Sequence, residues 1–378
     1  MNTSLIDKNK IQIAGAGPAG LVAAIKLAQS GRQVAVYESK PHVGARFNGD
    51  HQGLENWSTE QDVIEWMEGE GITTQFTKQA FSNGTAFDAS GESYPIKSQR
   101  ELFYLVERGP APQSFDSALL KQAESLGVEI IFGHKLKLMQ GKGILATGPK
   151  AADAIAVGYH FETTMANGFW VILDDQKAPQ GYSYLLTMNG KGTLKTCMFS
   201  DFKNEKIYLE RTVKEFERLL DLKMENPVFH GGAGNFRIPS SAVSGGHPII
   251  GEQAGYQDFL WGFGMRYAIA SGLLAAESLL ENKNYELLWR QYLNKNIQAS
   301  MVNRVVYAKL GNRGYRWMLR RSLKRQWDPY QKLHDLYQPN WLKSLLLPWA
   351  KYQFNSKRQD ISCQHLDCHC IWCRHGDH

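Results

Sequence analysis

The apolar positions near the start of the chain change from a strand-like pattern to a helix-like pattern and back again. Residues 10–17, KIQIAGAG, predict a short buried strand, and residues 32–40, RQVAVYESK, predict a second strand. Between them, PAGLVAAIKLAQSG has the length and apolar period of a helix, and Gly31 is placed to end it. A strand, a helix and a strand in this order predict a βαβ unit with parallel strands.

The alternation resumes further along the first 150 residues after an interruption. SFDSALLKQAESLG predicts a helix, and VEIIFG and KGILATG predict further strands. Before them, residues 58–71 predict an amphipathic helix capped by Ser58, with Gln61 three positions later. These elements favour an α/β fold with a parallel sheet.

The rest of the chain predicts a different arrangement. Residues 153–245 contain successive strand-like runs, namely IAVGYHFET, GFWVILD, GYSYLLTM, GTLKTCMF and KIYLE, and one helix, TVKEFERLLDL. We therefore expect an antiparallel sheet beside the Rossmann-type core. From residue 262 onward the pattern is helical, beginning with MRYAIASGLLAAESLLE.

The junction between the first strand and the first helix has the glycine spacing of a dinucleotide site. Gly15 permits the tight turn, Gly17 lets the backbone approach a pyrophosphate, and Gly20 lets the helix pack close to the sheet. Pro18 suits the first helical turn, whose free N–H groups and dipole attract phosphate. Glu38 ends the second strand, where it is placed to accept hydrogen bonds from a ribose. In this context the glycines predict a bound dinucleotide.

The charge of the chain is concentrated in one segment. The 378 residues carry a net charge of +6, and residues 301–358 alone hold thirteen Lys or Arg and two Asp or Glu. No N-terminal signal peptide is visible, and no apolar run approaches the roughly 20 residues that span a bilayer. We therefore expect a cytoplasmic protein. Four of the five cysteines lie in the last sixteen residues, which is unlike a secreted disulfide framework.

The basic segment interleaves its charges with aromatic and aliphatic residues, as in NWLKSLLLPWAKYQF. This stretch is too short to span a bilayer but suits its interface, where Trp341 and Trp349 would act as anchors. A peripheral position on the inner face of a membrane and a helical subdomain with a solvated basic face fit equally well. A nucleic-acid surface is the weaker alternative, because no nucleic-acid-binding motif accompanies the charge.

The last sixteen residues, CQHLDCHCIWCRHGDH, concentrate thiols and imidazoles. Cys370 and Cys373 have the spacing of tetrahedral zinc ligands, and Cys363 and Cys368 precede them closely. The first spacings fit no common zinc-finger or ferredoxin pattern. Two alternatives stay open, a zinc site formed by these four cysteines and a redox-sensitive tail without metal.

Four separated blocks within residues 10–282 resemble motifs of the p-hydroxybenzoate hydroxylase superfamily of flavoproteins. They are GAGPAG with Glu38, YLVERGPAPQSFDSALLKQAESLG, ILATGP and GEQAGYQDFLWGFGMRYAIASG. Within that superfamily the chain looks most like the geranylgeranyl reductases. The resemblance implies FAD rather than NAD as the bound dinucleotide. It also implies an α/β fold with a Rossmann-type FAD-binding domain, an antiparallel β-sheet substrate domain and a helical C-terminal region.

The resemblance assigns individual positions to the cofactor. It implies that Arg108 lies against the cofactor and that Glu252, where the family has Asp, bonds the sugar-like chain of the flavin. The helix from Gly264 and Met265 would face the isoalloxazine. Arg46, in the loop after the second strand, is a candidate phosphate or flavin contact. The predicted cofactor-binding residues are Gly15, Gly17, Pro18, Ala19, Gly20, Glu38, Arg46, Arg108, Glu252, Gly264 and Met265.

GYSYLL occupies the place of the Tyr-x-Trp-x-Phe-Pro motif of the reductases, which implies that Tyr182 and Tyr184 line a substrate cavity. The alternative is that both are ordinary strand residues. The Gly-Trp-x-Trp-x-Ile-Pro motif of flavin halogenases is absent from the sequence. In the loop that holds Arg46, we expect His51 to be solvated.

The resemblance implies an FAD-dependent oxidoreductase that reduces carbon–carbon double bonds of an isoprenoid or lipid-like substrate by hydride transfer from reduced flavin. The alternatives are a flavin-dependent monooxygenase of an aromatic or quinone-type substrate, and a non-enzymatic, flavin-bearing membrane-associated scaffold or redox sensor. Because the sequence has no second GxGxxG unit, NAD(P)H or another electron carrier would dock transiently. The predicted regions are a discontinuous FAD-binding domain (1–150 and 245–282), a β-rich substrate domain (151–244), a basic aromatic helical region (283–358) and a Cys/His-rich tail (359–378).

Overall fold

The computed structural model describes residues 10–47, 49–149 and 152–355. In these residues, no helix combines the length and the apolar character needed to cross a membrane. The strands are β1 (Ile11–Ala14), β2 (Val34–Tyr37), β3 (His51–Glu55), β4 (Lys78–Phe81), β5 (Asn83–Asp88), β6 (Ser93–Lys97), β7 (Phe103–Glu107), β8 (Glu129–Ile131), β9 (Gly143–Leu145), β10 (Ala154–Glu162), β11 (Gly168–Leu173), β12 (Tyr182–Met188), β13 (Lys191–Met198), β14 (Glu225–Gly234), β15 (Val243–Ser244) and β16 (His247–Pro248). The α-helices are α1 (Pro18–Gln29), α2 (Val63–Gly69), α3 (Phe115–Ser125), α4 (Glu205–Leu220), α5 (Met265–Glu281), α6 (Tyr285–Tyr292), α7 (Asn294–Lys324), α8 (Pro329–Tyr337) and α9 (Trp341–Asn355).

The nucleotide-binding core is a four-stranded parallel sheet in the order β8-β2-β1-β9. All four residues of β2 are buried, as expected for a parallel strand covered on both faces. α1 and α5 pack against each other in the same hydrophobic core. A Cβ added to Gly272 of α5 would lie 2.5 Å from the backbone oxygen of Ala19, so this close approach requires glycine. The predicted Rossmann-type unit is confirmed.

The second sheet has seven strands in the order β14-β10-β13-β12-β11-β5-β6. Neighbouring strands are antiparallel except for β11 and β5, which run parallel. One face packs against α4 around Phe202, Leu209 and Phe216. The sheet takes β5 and β6 from residues 83–97, a range that the sequence places with the nucleotide-binding domain.

The C-terminal region is helical, as predicted. Polar contacts join it to the second sheet and to the loop before α5. α7 is kinked at Gly311, whose φ is 57°. Beyond the kink, Arg316 Nε lies 2.7 Å from Oδ2 of Asp88, whose side chain is completely buried at the end of β5. Before the kink, Arg304 donates to the backbone oxygen of Leu260, in the loop that leads to α5.

The prediction of a strand at KIYLE, residues 206–210, was wrong, because these residues form the first part of α4. Leu209, Thr212 and Phe216 are buried at intervals of three and four residues. That spacing belongs to one helical stripe, and it continues through the segment that was predicted as a helix.

The predicted cap of the helix that begins near residue 58 was also wrong. α2 begins after Asp62, whose Oδ1 accepts a hydrogen bond from the N–H of Ile64. Ser58 instead donates its hydroxyl to Glu55 at 2.6 Å. Both residue types favour caps, and the buried Glu55 decides between them by binding Ser58.

Candidate functional site

One cavity of about 1720 Å³ extends from the nucleotide-binding core to the second sheet and the C-terminal helices. Its wall includes the loop after β1, the start of α1, one face of β11, β12 and β13, and the segment from the end of α7 into α8. Ten of the eleven residues predicted to bind the cofactor line this cavity, the exception being Gly20. The sheet residues Tyr182 and Tyr184 line it as well.

The three glycines after β1 serve two different purposes. Gly15 has a φ of +109°, and a Cβ added to it would lie 2.2 Å from the backbone oxygen of Ala146. A Cβ on Gly20 would lie 2.0 Å from the backbone oxygen of Gly15. Gly17, in contrast, has an ordinary φ of −76°, and an added Cβ would meet no protein atom within 4 Å. Gly15 and Gly20 therefore allow close packing, whereas Gly17 faces open space on the cavity side.

Two helix N-termini point free N–H groups at the cavity. α1 begins after Gly17 and α5 begins after Gly264, and among the described residues no side chain caps either helix. A helix N-terminus without a capping side chain offers unpaired N–H groups and a partial positive charge. These two termini therefore suit anionic groups such as the pyrophosphate of FAD and its reduced isoalloxazine.

Glu38 lies at the end of β2 and on the cavity wall. Its Oε2 accepts from the N–H of Ala16 at 2.9 Å, and its Oε1 accepts from the N–H of Lys40 at 2.9 Å. The carboxylate is thus held beside the glycine turn, where it has lone pairs left for ribose hydroxyls.

Arg46 and Glu252, which lie 206 positions apart in the sequence and were both predicted to contact the cofactor, contact each other. Arg46 Nη1 lies 2.9 Å from Glu252 Oε2, and Arg46 Nη2 donates to the backbone oxygen of Ala233. Glu252 Oε1 also accepts from the backbone N–H of Asn235. The side chain of Glu252, one methylene longer than the Asp of the resemblance, reaches the guanidinium of Arg46 in the cavity wall.

Arg108 lies in the cavity wall, where two buried hydrogen bonds to one carboxylate hold its guanidinium in place. Its Nε and Nη2 donate to Asp116 at 2.8 and 2.9 Å, and its Nη1 donates to Gln52. Its guanidinium also lies 4.3 Å from the ring of Phe47. Bidentate pairing of this kind fixes the plane of the guanidinium at the cavity surface.

Tyr182 and Tyr184 lie side by side in the wall, with ring centroids 6.1 Å apart. The hydroxyl of Tyr182 donates to the backbone oxygen of Trp261, whose ring meets the Tyr182 ring edge-on. Burial raises the pKa of both phenols well above the ordinary value, so both stay neutral. Around them the wall is apolar and includes Phe103, Phe169, Leu186, Leu319 and Leu333.

A polar cluster lies in the same wall, where the loop after β2 meets the second sheet. Asp50 Oδ2 is 2.5 Å from Lys195 Nζ, and Asp50 Oδ1 is 2.9 Å from His160 Nε2. Lys195 Nζ is also 3.0 Å from His230 Nδ1. Burial would raise the pKa of Asp50, but the Lys195 ammonium and the hydrogen bond from His160 hold it far below its ordinary value. We name Asp50, His160, Lys195 and His230 the Asp50–Lys195 cluster.

His51 corrects one expectation, because it is 1% exposed rather than solvated. Burial and the nearby charge of Lys191 lower its pKa to about 4. Its backbone N–H donates to Thr193 Oγ1, next to His160. His51 is therefore a neutral neighbour of the Asp50–Lys195 cluster.

The cluster gave little signal in the sequence, because its members are spread over about 180 positions and form no local motif. The available signal was Lys195 itself, a charged residue in the middle of the strand KGTLKTCM, whose other central positions are apolar or small. Lysine is seldom buried without a partner, so a lysine at a central position of a strand indicates a buried carboxylate nearby. The predicted zinc ligands Cys363, Cys368, Cys370 and Cys373 lie outside the described residues.

Comparisons with known proteins agree with this fold. A family profile for NAD(P)-binding Rossmann-like domains matches residues 13–58. The fold is similar to that of a geranylgeranyl bacteriochlorophyll reductase-like protein from Thermoplasma acidophilum, with a TM-score of 0.66 and 16% identity over 92% of this chain and 98% of that one. It is also similar to the flavin-dependent brominase Bmp2, with a TM-score of 0.63 and 16% identity over 92% of this chain and 99% of that one.

Two further matches extend the range of activities. The p-nitrophenol 4-monooxygenase PnpA from Pseudomonas putida has a TM-score of 0.58 and 14% identity over 92% of this chain and 97% of that one. Among curated proteins, thiamine thiazole synthase from Pyrococcus horikoshii is 28% identical over 99 residues, which are 26% of this chain and 39% of that protein. The chain thus matches about two fifths of the length of this relative. The expected resemblance is confirmed at the level of the fold, and the chain has the fold of flavin-dependent reductase-like, halogenase and monooxygenase proteins.

Proposed function

We propose that this chain is an FAD-dependent oxidoreductase that reduces carbon–carbon double bonds of an isoprenoid or another lipid-like substrate. The observation that supports the proposal best is the single cavity, which contains the predicted dinucleotide-binding residues at one end and an apolar aromatic wall at the other. Its volume of about 1720 Å³ exceeds the roughly 300–1,000 Å³ of an ordinary small-molecule site. The cavity therefore has room for FAD and for a second, elongated ligand.

The residues fit FAD in three respects. Gly17 leaves open space next to the free N–H groups of α1, which suits a pyrophosphate. Glu38 is held where it can bind a ribose, and the N-terminus of α5, at Gly264 and Met265, lies in the cavity wall. FAD, when bound, supplies two-electron hydride chemistry. The chain's own contribution is to position the cofactor through Arg46, Glu252 and Arg108 and to exclude water with the apolar wall.

The electron donor in this proposal docks transiently. Because the sequence contains one GxGxxG unit, which the FAD would occupy, a nicotinamide donor has no second dinucleotide fold of its own. NAD(P)H or another carrier would reduce the flavin and leave before the apolar substrate is reduced.

The test uses purified holoprotein whose flavin has been reduced with dithionite in the absence of oxygen. Geranylgeraniol is then added, with its fully saturated analogue phytanol as the matched control. We expect geranylgeraniol alone to return the absorption of oxidised flavin, and we expect the lipid to gain two hydrogens. The proposal fails if the flavin stays reduced until oxygen enters and an aromatic or quinone additive then gains an oxygen atom, which is the outcome for a monooxygenase.

We also infer that the C-terminal helices dock on an anionic membrane surface, from which a lipid substrate enters. α9 packs Leu346, Leu347 and Ala350 towards the core, yet it exposes Trp341 at 78% and Leu345 at 69%. Exposed Trp and Leu next to a segment rich in Lys and Arg match the requirements of an anionic bilayer interface. The end of α7 and α8, which belong to the same region, line the cavity.

Vesicle sedimentation tests this inference. We expect the wild-type protein to sediment with vesicles that contain phosphatidylglycerol and not with vesicles of phosphatidylcholine alone. The variant Trp341→Ser/Leu345→Ser should lose this binding, whereas Leu287→Ser, which removes a 65% exposed leucine of α6, should retain it. Absence of wild-type binding to the anionic vesicles would contradict the inference.

A further inference from the structure

We propose that Lys195 is the proton donor of the reaction and that Asp50 and His230 are the residues that position it. The inference rests on the proposed function, because reduction of a carbon–carbon double bond requires a proton as well as a hydride. It assigns a role to the Asp50–Lys195 cluster, which none of the sequence motifs contains.

The register of the second sheet places Lys195 in the cavity wall. One row across the sheet pairs Val171 with Tyr184, Tyr184 with Lys195, Lys195 with Gly158, and Gly158 with His230. Directly paired residues point their side chains to the same face of a sheet. Tyr184, Lys195 and His230 all line the cavity, so this is the face that the substrate would meet.

Gly158 explains how a lysine and a histidine from strands that are not neighbours come into contact. β10 lies between β13 and β14, and Gly158 stands between Lys195 and His230 in the row. Because glycine has no side chain, the Lys195 ammonium can cross this position and reach His230 Nδ1 at 3.0 Å.

The hydrogen-bond partners hold the Lys195 ammonium in place. His230 Nε2 lies 2.8 Å from the backbone oxygen of Arg46, which only accepts, so Nε2 carries a hydrogen. His230 Nδ1 lies 3.0 Å from Lys195 Nζ and 3.2 Å from Asp50 Oδ2, so it contacts both members of the ion pair. Arg46 belongs to the loop that is predicted to contact the flavin. Lys195 donates to Asp50 Oδ2 and is held beside His230 Nδ1, and at least one of its three N–H groups takes part in neither contact.

The other half of the cluster fixes Asp50 as an acceptor. Asp50 Oδ1, which only accepts, lies 2.9 Å from His160 Nε2, so in the neutral ring Nε2 carries the hydrogen and Nδ1 accepts from the hydroxyl of Thr193 at 3.1 Å. Burial lowers the pKa of His160, which keeps it neutral.

The charges of the cluster balance as one buried anion and one buried cation. The side chains of Asp50 and Lys195 are 1% and 5% exposed, and burial lowers the pKa of the neighbouring His51 and His160, which keeps both neutral. The Asp50 carboxylate lies directly against the Lys195 ammonium, and the surrounding apolar wall strengthens any interaction of the ammonium with a ligand.

The proton count of the reaction defines the step. Reduced FAD, when bound, would supply a hydride for one alkene carbon, and Lys195 Nζ gives one proton to the other carbon. The products are the saturated bond, the oxidised cofactor and a neutral Lys195 amine, which takes a proton from solvent through the open cavity after product release. Transfer of one proton by a positioned side chain contributes roughly 10²–10⁴-fold to a rate.

Three residues of the same cluster could also bind a metal ion, because Asp50, His160 and His230 each place a ligand atom within 4.8 Å of the others. The Lys195 ammonium, however, contacts two of the three residues and supplies the positive charge that a metal would bring. We therefore assign the cluster to proton transfer, and a bound metal is an outcome that the test below detects.

The first part of the test measures the flavin midpoint potential of the holoprotein, which needs no substrate. Lys195→Met removes a positive charge and should lower the potential, whereas Asp50→Asn should raise it, and the double variant should lie near the wild type. Lys191→Met, on the exposed end of the same strand, should leave the potential unchanged. Shifts of the same sign, or no shift, would show that the pair does not face the flavin and would overturn the proposal.

The second part separates the charge of Lys195 from its proton. Arginine keeps the charge but does not release a proton, so Lys195→Arg should keep the potential and still lose at least about 100-fold in the rate of reoxidation by geranylgeraniol. Wild-type rates in Lys195→Arg would overturn the proton-donor role, as would stoichiometric zinc or iron that His230→Ala removes. If geranylgeraniol fails to reoxidise even the wild type, the proposed function fails and the donor role falls with it, while the potentials still report separately whether the pair faces the flavin.

Discussion

Replacement of Gly17 by serine separates binding of the cofactor from folding. The φ of Gly17 is −76°, and its missing Cβ faces open space, so serine fits without backbone strain. Serine is also a preferred N-cap, and its hydroxyl would accept from the N–H groups of the first turn of α1. Those N–H groups are the ones that we expect to bind the pyrophosphate. The variant should therefore fold as well as the wild type and bind FAD poorly.

The magnitude follows from the contacts that are lost. A hydrogen bond to a charged group contributes about 1.5–3 kcal/mol, so loss of one such bond weakens binding by roughly 10- to 150-fold. Titration of the flavin-free protein with FAD measures the dissociation constant, and urea unfolding measures stability. The matched control is Gly20→Ala, whose Cβ would lie 2.0 Å from the oxygen of Gly15 and should destabilise the fold by about 1–3 kcal/mol. Wild-type affinity for FAD in Gly17→Ser would refute this assignment of the site.

Three further predictions concern stability and are checked by urea unfolding. Arg108→Leu leaves the buried Asp116 carboxylate without the guanidinium that it binds and should lower the free energy of unfolding by about 3–5 kcal/mol. The double variant Arg108→Leu/Asp116→Leu should recover most of this loss. Burial opposes the ionisation of Asp88, but hydrogen bonds, including one from Arg316, lower its pKa from 3.8 to about 2. Above pH 3.8, the ordinary pKa of the group in the unfolded chain, this lowered pKa contributes about 2 kcal/mol to the free energy of unfolding. The contribution should disappear as the pH falls through about 2. Asp88→Asn should show no such loss. Tyr182→Phe leaves the backbone oxygen that it binds without a donor and should cost about 1 kcal/mol without changing FAD affinity.

The parts of the fold that follow from short-range chemistry could be predicted from the sequence. The glycine turn, α1 and β2 are determined by residues within about thirty positions, and the register of β1 with β2 confirms them. The helical C-terminal region was predictable for the same reason. KIYLE misled because a short apolar run has no period that separates strand from helix, and the buried stripe of α4 becomes clear only over its full sixteen residues.

The candidate site was predictable only where a local motif carried it. Gly17, Glu38 and Gly264 each belong to such a motif, and all three line the cavity. Asp50 and Lys195, in contrast, meet because two elements pack together and the sheet has one particular register. No pattern within a window of the sequence encodes that contact, so it required the three-dimensional structure.

The central claim is that this cavity binds FAD, and the most direct measurement is the identity of the nucleotide that copurifies with the protein. The purified chain is denatured, and the released small molecules are identified by mass and by visible absorption. We expect close to one FAD for each chain in the wild type and little or none in Gly17→Ser. Recovery of NAD in place of FAD, or no affinity for added FAD, would contradict the account.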